Sequence, residues 1–401
     1  MALKLITFLG RGMPPHDGVP QPYRTAQYRF TISDSDSWVS DPVSHFARAV
    51  ADFHQQLNSP LQSVVVLGTP GSMWDVLVDS FGRNNESLEP IWEKIHSDAQ
   101  THQVDESLLA EFQGLLNDLV GPEIRLRLIH PAVDSQGQAY LLKQMVDCIH
   151  NQDDVWLDVT NAYRHLSMLG LASTAIAAAT KSRQAKIREI SYGAFDMTRD
   201  EVTPVVSLRW ILRLFDVLGA SGHLVQRGQL QSVIECFPNG VVRQKLQEAN
   251  FHLETMRIDE ASRSLRECVT LLKQEFSLLP TELGLVADLL CERLEPITRQ
   301  QRTMIGLIEM AEHAMQVEDF LRVSIYLYEA VEIADRKGIQ GDVAEDRKLK
   351  GVRNWLAHAG KLQGDARDSE VRELITSRNG LRQFFQKHID RLREDHRSSI
   401  G

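Results

Sequence analysis

The chain lacks the residue patterns that most readily declare a function. Its 401 residues hold only four cysteines, Cys148, Cys236, Cys268 and Cys291, and no two of them form a C-x-x-C pair. A disulfide framework or a thiolate metal site needs paired or closely spaced cysteines, so reduced, buried thiols are expected instead. Fourteen histidines occur without an H-E-x-x-H or comparable ligand spacing, and no metal site is expected. There is no G-x-x-x-x-G-K-[ST] loop to cradle a nucleoside triphosphate and no G-x-S-x-G elbow to present a nucleophilic serine. No apolar run approaches the roughly 18–20 residues of a membrane span. The longest, Leu166 to Ala179, is short and rich in alanine and reads as a buried helix. The apolar start, Met1 to Gly10, has neither a basic leader nor a small-residue cleavage site, so a cytoplasmic address is expected.

Net charge is −10, which excludes the chain as a whole from polyanion binding. The charge is uneven: residues 341–401 carry 13 Lys+Arg against 10 Asp+Glu. Any RNA contact is therefore expected in this basic C-terminal segment.

The first two hundred residues alternate strand and helix signals. Strands are expected at Leu3–Gly10, Ser63–Leu67, Glu123–Ile129 and Val155–Val159, with Ile187–Phe195 as the last. Tyr23–Ile32 reads as extended, Pro42–Leu57 as an amphipathic helix, and Asn161–Ala179 as a loop passing into a helix. Short apolar strands separated by helices predict an α/β domain with a parallel-type sheet covered on both faces. From Pro204 onward strand signals disappear. Val206–Leu218, Val241–Phe276, Thr281–Leu294, Thr298–Met315, Phe320–Lys337, Val343–His358 and Ser369–Glu394 all show helical periodicity. The expected domains are 1–204, α/β, and 205–401, all-α, with residues 240–300 reading as a helical insertion.

Ligands of open α/β sheets sit beyond the carboxyl ends of the strands, where three polar loops are expected. In Gly10-Arg11-Gly12 the glycines let the backbone approach an anion, and Arg11 offers a cation to a phosphate. In the loop from Gly68 to Asp75, the residues Thr69, Pro70, Gly71 and Ser72 end a buried strand, and a helix is expected to open near Met73. Thr69 and Ser72 are candidates to cap that helix and to donate to a phosphate at its N-terminus. Trp74 is placed either to stack on a base or to anchor the core. The third loop clusters Asp158, Thr160, Asn161, Arg164 and His165. Arg164 is a candidate phosphate or base ligand there, and His165 either a weak acid/base or a helix cap.

Near the end of the helical half stands Gly351-Val-Arg-Asn-Trp-Leu-Ala-His358. Arg353 suits a phosphate clamp and His358 moves a proton near neutral pH. A five-residue step on a helix is about 500°, or about 140° net, so the two side chains are splayed. One helix alone makes an awkward site of them; two copies meeting across a dimer would line one groove.

Together these features resemble the CRISPR-associated CARF–HEPN proteins, accessory ribonucleases of type III systems, over most of the chain. Leu9-Gly10 and the Tyr23/Tyr28/Phe30 region are similar to that family's first strand and aromatic segment. Leu67-Gly-Thr-Pro-Gly-Ser-Met-Trp-Asp75 resembles its L-G-T…S-x-W-D motif. Asp158-Val-Thr-Asn-Ala-Tyr-Arg-His-Leu166 resembles its D-x-T-H-G-F-R motif, with Asn161-Ala162 in place of His-Gly. Arg353-Asn354 through Ala357-His358 matches the R-N-x-x-A-H motif.

The resemblance implies a Rossmann-like CARF domain followed by a helical HEPN domain, working as a homodimer. The paired CARF pockets would bind a cyclic oligoadenylate, typically tetra- or hexa-adenylate, as activator. The paired HEPN domains would then cut single-stranded RNA without a cofactor. Arg353 would hold the scissile phosphate, His358 would transfer a proton, and Asn354 would orient one or the other, leaving 2′,3′-cyclic phosphate and 5′-OH ends. Two other outcomes stay open: a non-enzymatic sensor or transcription regulator, and a ring nuclease acting through Thr69, Ser72, Asn161 and Arg164.

Overall fold

The computed structural model describes residues 3–11, 24–33, 35–82, 85–119, 121–161, 163–180, 185–227, 230–255, 257–275, 283–284, 287–292, 303–339, 341–358 and 367–398. The chain divides into two compact units, Met1–Leu212 and Arg213–Gly401.

The first unit is an α/β sandwich. Its strands are β1 Leu3–Phe8, β2 Gln27–Ser33, β3 Asp36–Val39, β4 Ser63–Gly68, β5 Glu123–Leu128, β6 Asp154–Asp158, β7 Lys186–Gly193 and β8 Val202–Ser207. They form one sheet in the order β3-β2-β8-β7-β6-β1-β4-β5. The five strands β7, β6, β1, β4 and β5 run parallel. Strand alternation splits their side chains between two cores. Leu5, Val64 and Val66 face helices α1 Phe46–Gln56, α2 Val76–Phe81, α3 Glu89–Gln100 and α4 Glu106–Asn117. Ile6, Phe8, Val65 and Leu67 face α5 Ser135–Asp147 and α6 Arg164–Thr180. Each such buried aliphatic side chain contributes roughly 1.5–3 kcal/mol. Side-chain caps start the helices: Asp105 accepts from Leu108 N at α4 and Asp134 from Gly137 N at α5. At the opposite end of the sheet the buried Lys4 ammonium is held by Asp153 at 2.5 Å and by the Cys148 carbonyl at 3.0 Å, so the charge is not left alone in the interior.

The second unit is helical among its described residues. Helix α7 Trp210–Arg227 runs across the division between the units. It is followed by α8 Gln231–Cys236, α9 Val241–Glu254, α10 Ile258–Glu275, α11 Met304–Gln316, α12 Phe320–Arg336, α13 Val343–Ala357, α14 Arg367–Thr376 and α15 Arg378–Ser398. Helix α9 packs on α10, α12 on α11 and α13, and α15 on α11, α12 and α14. Leu349 and Val352 of α13 are buried with Leu327, Phe385 and Ile389. Arg391 pairs with Asp346 to tie α15 to α13. No helix among the described residues is long and apolar enough to cross a membrane.

Several boundaries differ from the sequence expectation. Ile187–Phe195 is not the last strand, because β8 follows it and carries Pro204. Proline lacks the N–H that an interior strand needs. Here the two pairings meet end to end: β2 pairs with Val202–Pro204 and β7 with Val205–Ser207. Pro204 sits at the changeover and still accepts at its carbonyl, from Ala194 N. The helix expected at Val206 starts at Trp210, and the units divide at Leu212/Arg213 where 204/205 was expected. The helix expected near Met73 starts at Val76. Val241–Phe276 and Ser369–Glu394 are each two helices. The four cysteines are free as expected, but only Cys268 is fully buried; burial pushes its thiol up to about 12.

Candidate functional site

The sheet runs outward in one direction from β1 through β4 to β5, and in the other from β6 to β7. The strand order therefore reverses between β1 and β6, which is where open α/β sheets form a ligand crevice. Gly10 and Arg11 leave β1 at this point, and Thr160 and Asn161 leave β6.

The crevice is built by close backbone contact. A side chain on Gly10 would place its Cβ 2.5 Å from the Asn161 carbonyl oxygen. Met73 N donates to Gly10 O at 3.0 Å, and Ser72 Oγ to Leu9 O at 3.1 Å. Ser72 Oγ also accepts from Thr69 N at 2.9 Å. Ser72 is fully buried and Thr69 nearly so. Their hydroxyls hold the β1 and β4 loops together, and they do not cap a helix. Helix α2 has no side-chain cap, and its six residues start beyond Trp74. Trp74 is 0% exposed, lies against Gly68, and donates from Nε1 to Thr69 O at 2.9 Å. It is a core anchor, and base stacking by this ring is excluded. Gly71 is buried, Pro70 half-buried and Arg11 exposed.

Beneath the crevice lies a sealed polar cluster. Asp158 is fully buried; its carboxylate accepts from Thr7 Oγ1 at 2.6 Å and Thr160 N at 2.8 Å. Burial raises its carboxyl to about 6, against the lowering effect of those bonds. Thr160 Oγ1 accepts from Gly193 N at 2.8 Å, joining the β6 loop to β7. The Tyr28 ring packs on Gly193, and its phenol is pushed up by burial and by Asp158. Behind β1, His45 is fully buried; its Nε2–H donates to Phe8 O at 3.3 Å and its Nδ1 accepts from Ala47 N at 3.3 Å. That pattern fits one neutral tautomer, and burial lowers the ring to about 4.

At the rim, Asn161 Nδ2 is buried without a protein hydrogen bond. Helix α6 starts at Arg164 directly beyond this loop, whereas the Arg164 side chain, Ala162 and Gly12 lie outside the described residues. His165 is exposed and donates from Nε2 to Pro131 O at 2.8 Å, so it does not cap α6. Two histidines that no motif marked also border the β4 loop. His102, in the left-handed region at φ 58°, lies against Gly71. His96 Nδ1 pairs with the buried Asp75 at 2.8 Å. The crevice offers close backbone, an exposed guanidinium and a spare amide donor. The fully buried Asp158 carboxylate is sealed away below. Such a set is chemically suited to an anionic ligand.

The second candidate site lies on α13. Arg353 and Asn354 are half-buried, and the Arg353 guanidinium donates to Asn354 Oδ1 from Nη2 at 2.8 Å and Nε at 3.3 Å. Its carbon lies 4.1 Å from the centre of the Tyr328 ring on α12, within cation–π range. The Tyr328 hydroxyl in turn donates to Glu332 Oε1 at 2.9 Å. Helix α13 ends at Ala357, and His358 is its exposed C-cap, with its N–H on Asn354 O at 3.0 Å. No hydrogen bond or ring contact joins Arg353 to His358. Asn354 thus orients the arginine with its side chain, and meets His358 only through its backbone carbonyl. Tyr328 and Glu332 escaped the sequence reading because they sit on a different helix with no motif around them. Among the described residues no group of three metal-ligating side chains comes together. Comparison of the chain with protein-family models and with curated proteins finds no match to either.

Proposed function

We propose that this chain is a cytoplasmic endoribonuclease of the CARF–HEPN kind, in which the α/β unit binds a cyclic oligoadenylate and the helical unit cuts single-stranded RNA. The observation that carries the reading is Arg353: a half-buried guanidinium fixed by Asn354 and Tyr328, with no carboxylate partner among the described residues, five residues before an exposed histidine. A cation oriented in this way and left unneutralised suits an incoming phosphodiester.

RNA supplies its own nucleophile. The ribose 2′-OH attacks the adjacent phosphorus, its proton passes to a base, and the 5′-oxygen leaves with a proton. The products are a 2′,3′-cyclic phosphate and a 5′-OH. His358 is placed to move the proton, and Arg353 to stabilise charge on the phosphorane. The separation of the two within one chain supports a homodimer, in which two α13 helices contribute to one groove. In the α/β unit, Gly10, Arg11, Asn161 and the start of α6 would receive the phosphates of the ring. Thr69, Ser72 and Asp158 would shape that crevice from below, and Trp74 would support it from the core.

The test is cleavage of a labelled single-stranded RNA in the presence of cyclic rings of three to six adenylates. One ring size should switch cleavage on. Arg353→Ala and His358→Ala should each lose at least about 100-fold in rate, the scale of one general acid–base or electrostatic group, while ring binding by calorimetry is retained. Undiminished cleavage by the double variant would overturn the assignment. Ligand-dependent retention of promoter DNA without RNA loss would point to a sensor, and consumption of the ring to a ring nuclease.

A further inference from the structure

We infer that Tyr328 and Glu332 of α12 form a platform that sets the plane and direction of the Arg353 guanidinium, making Tyr328 a positioning residue for RNA cleavage. This rests on the ribonuclease reading above and extends it to a second helix.

The argument begins with what Arg353 does not do. Glu332 lies on the same face of α12 as Tyr328, one turn further on, and a direct ion pair with Arg353 would be the ordinary outcome for two surface charges so placed. Instead Glu332 accepts from the Tyr328 hydroxyl at 2.9 Å and meets Arg336 at 3.4 Å. The carboxylate meets Tyr328 at its hydroxyl, while Arg353 lies over the face of the same ring. The guanidinium is attracted to the ring face at 4.1 Å, and its charge is not cancelled by a salt bridge.

The donor inventory then fixes what is left. A guanidinium carries five N–H groups in one plane. Nε–H and one Nη2–H are taken by Asn354 Oδ1, and one flat face is covered by Tyr328. Both Nη1–H groups and the second Nη2–H remain, and one Nη1–H lies beside that Nη2–H along the outer edge. Such an edge matches two non-bridging oxygens of a phosphodiester. The hydroxyl bond to Glu332 holds the far end of the ring against α12, and the ring face limits tilting of the guanidinium. A long side chain that would otherwise lose its rotamer freedom on meeting RNA has lost it beforehand.

A role in orientation has a kinetic signature that a role in packing lacks. Tyr328 is only half-buried, so its replacement should leave the fold intact. Tyr328→Leu keeps apolar bulk but removes the π face. Its kcat for a labelled single-stranded RNA, with saturating cyclic tetra- or hexa-adenylate, should fall on the order of 3- to 30-fold, the span expected of a cation–π contact from exposed to desolvated. KM should stay within about two-fold and the melting temperature should not move. Tyr328→Phe keeps the ring face on Arg353 and loses only the bond to the Glu332 carboxylate; its loss should be at most about 3-fold, because the cation–π contact itself is retained. Recovery from Leu to Phe is the decisive comparison.

Wild-type kcat in Tyr328→Leu, beside inactive Arg353→Ala, would overturn the platform and leave the ribonuclease reading standing. Equal losses in the Leu and Phe variants, with a lowered melting temperature, would make Tyr328 a packing residue and also overturn it. Full activity of Arg353→Ala, or no RNA cleavage by the wild-type chain with any ring, would remove the reading and the inference together.

Discussion

Thr7 donates its hydroxyl hydrogen to Asp158 across 2.6 Å, joining β1 to β6 where the strand order of the sheet reverses. Thr160 N adds a second bond to the same carboxylate. The floor of the crevice is therefore a buried acid whose ionisation is disfavoured: burial lifts it from the ordinary 3.8 to about 6. The sign of the linkage follows. Stability from this group is full below about 4 and is lost as pH rises through about 6, because the folded state resists the ionisation that the unfolded chain allows. A shift of this size corresponds to about 3 kcal/mol. Asp158→Asn cannot ionise, so its stability relative to wild type should improve by up to about 3 kcal/mol between pH 4 and pH 7. Urea denaturation at the two pH values measures it, and a difference that does not change with pH contradicts it.

The two glycines facing the crevice should respond differently to the same substitution. In Gly10→Ala the new methyl meets the Asn161 carbonyl oxygen at 2.5 Å, and backbone cannot step aside without opening the β6 loop. A loss of about 1–3 kcal/mol is expected, together with loss of ring binding. In Gly71→Ala the obstacle is the ring of His102, an exposed side chain that can swing away. The expected cost is below about 1 kcal/mol, close to that of an ordinary surface change. Calorimetric melting of the two variants side by side decides the point; equal losses would mean that His102 is held as firmly as backbone.

The central parallel strands were legible because their continuous apolar runs are what two covering helix layers require. Val64 and Val66 enter one core, Val65 and Leu67 the other. β8 was not legible because Pro204 breaks the rule for interior strands, and the end-to-end exchange of partners that makes it tolerable is a tertiary fact. Gly10, Thr160 and Asn161 were found from loops at strand ends, and the sheet places those loops side by side. Trp74 was ambiguous in sequence because an indole suits a base and a core equally; only the bond to Thr69 O and the contact on Gly68 decide it. Thr7 and His45 carried no signal, since a threonine inside a strand and a histidine before a helix are ordinary until Asp158 and Phe8 O are found beside them; Tyr28 was marked only as part of an aromatic segment, not as a neighbour of Asp158.

Ser72 ties two strand-end loops with one hydroxyl, donating to Leu9 O and accepting from Thr69 N. Ser72→Ala would leave the Thr69 amide without its partner in a buried setting, at a cost of about 1–3 kcal/mol. Thr69 Oγ1, 3.1 Å from Ser72 Oγ, is not placed to replace both bonds. Hydrogen exchange should show the Thr69 amide losing protection in this variant while the helical unit is unaffected. Unchanged protection would mean that Ser72 is only a space-filler.

His45 opposes Asp158 in the same pH interval. Burial holds its ring at about 4 against the ordinary 6.5, and the bonds to Phe8 O and Ala47 N are those of the neutral form. For a depressed histidine the stability is present above 6.5 and is lost as pH falls through 4, because the unfolded chain takes up a proton that the folded state refuses. The magnitude is again about 3 kcal/mol. Acidification from pH 7 to pH 4 therefore weakens the unit through His45 and strengthens it through Asp158, and in the wild-type chain the two contributions oppose one another. Single variants should expose them with opposite slopes. His45→Asn keeps a good helix-capping side chain and leaves Asp158 alone, so the unit should become more stable toward pH 4 relative to wild type. Asp158→Asn leaves His45 alone, so the unit should become less stable toward pH 4. The double variant should have a slope between those of the two single variants. A stability series in urea from pH 4 to pH 7 on the four chains measures this directly, and slopes of the same sign in the two single variants would refute it.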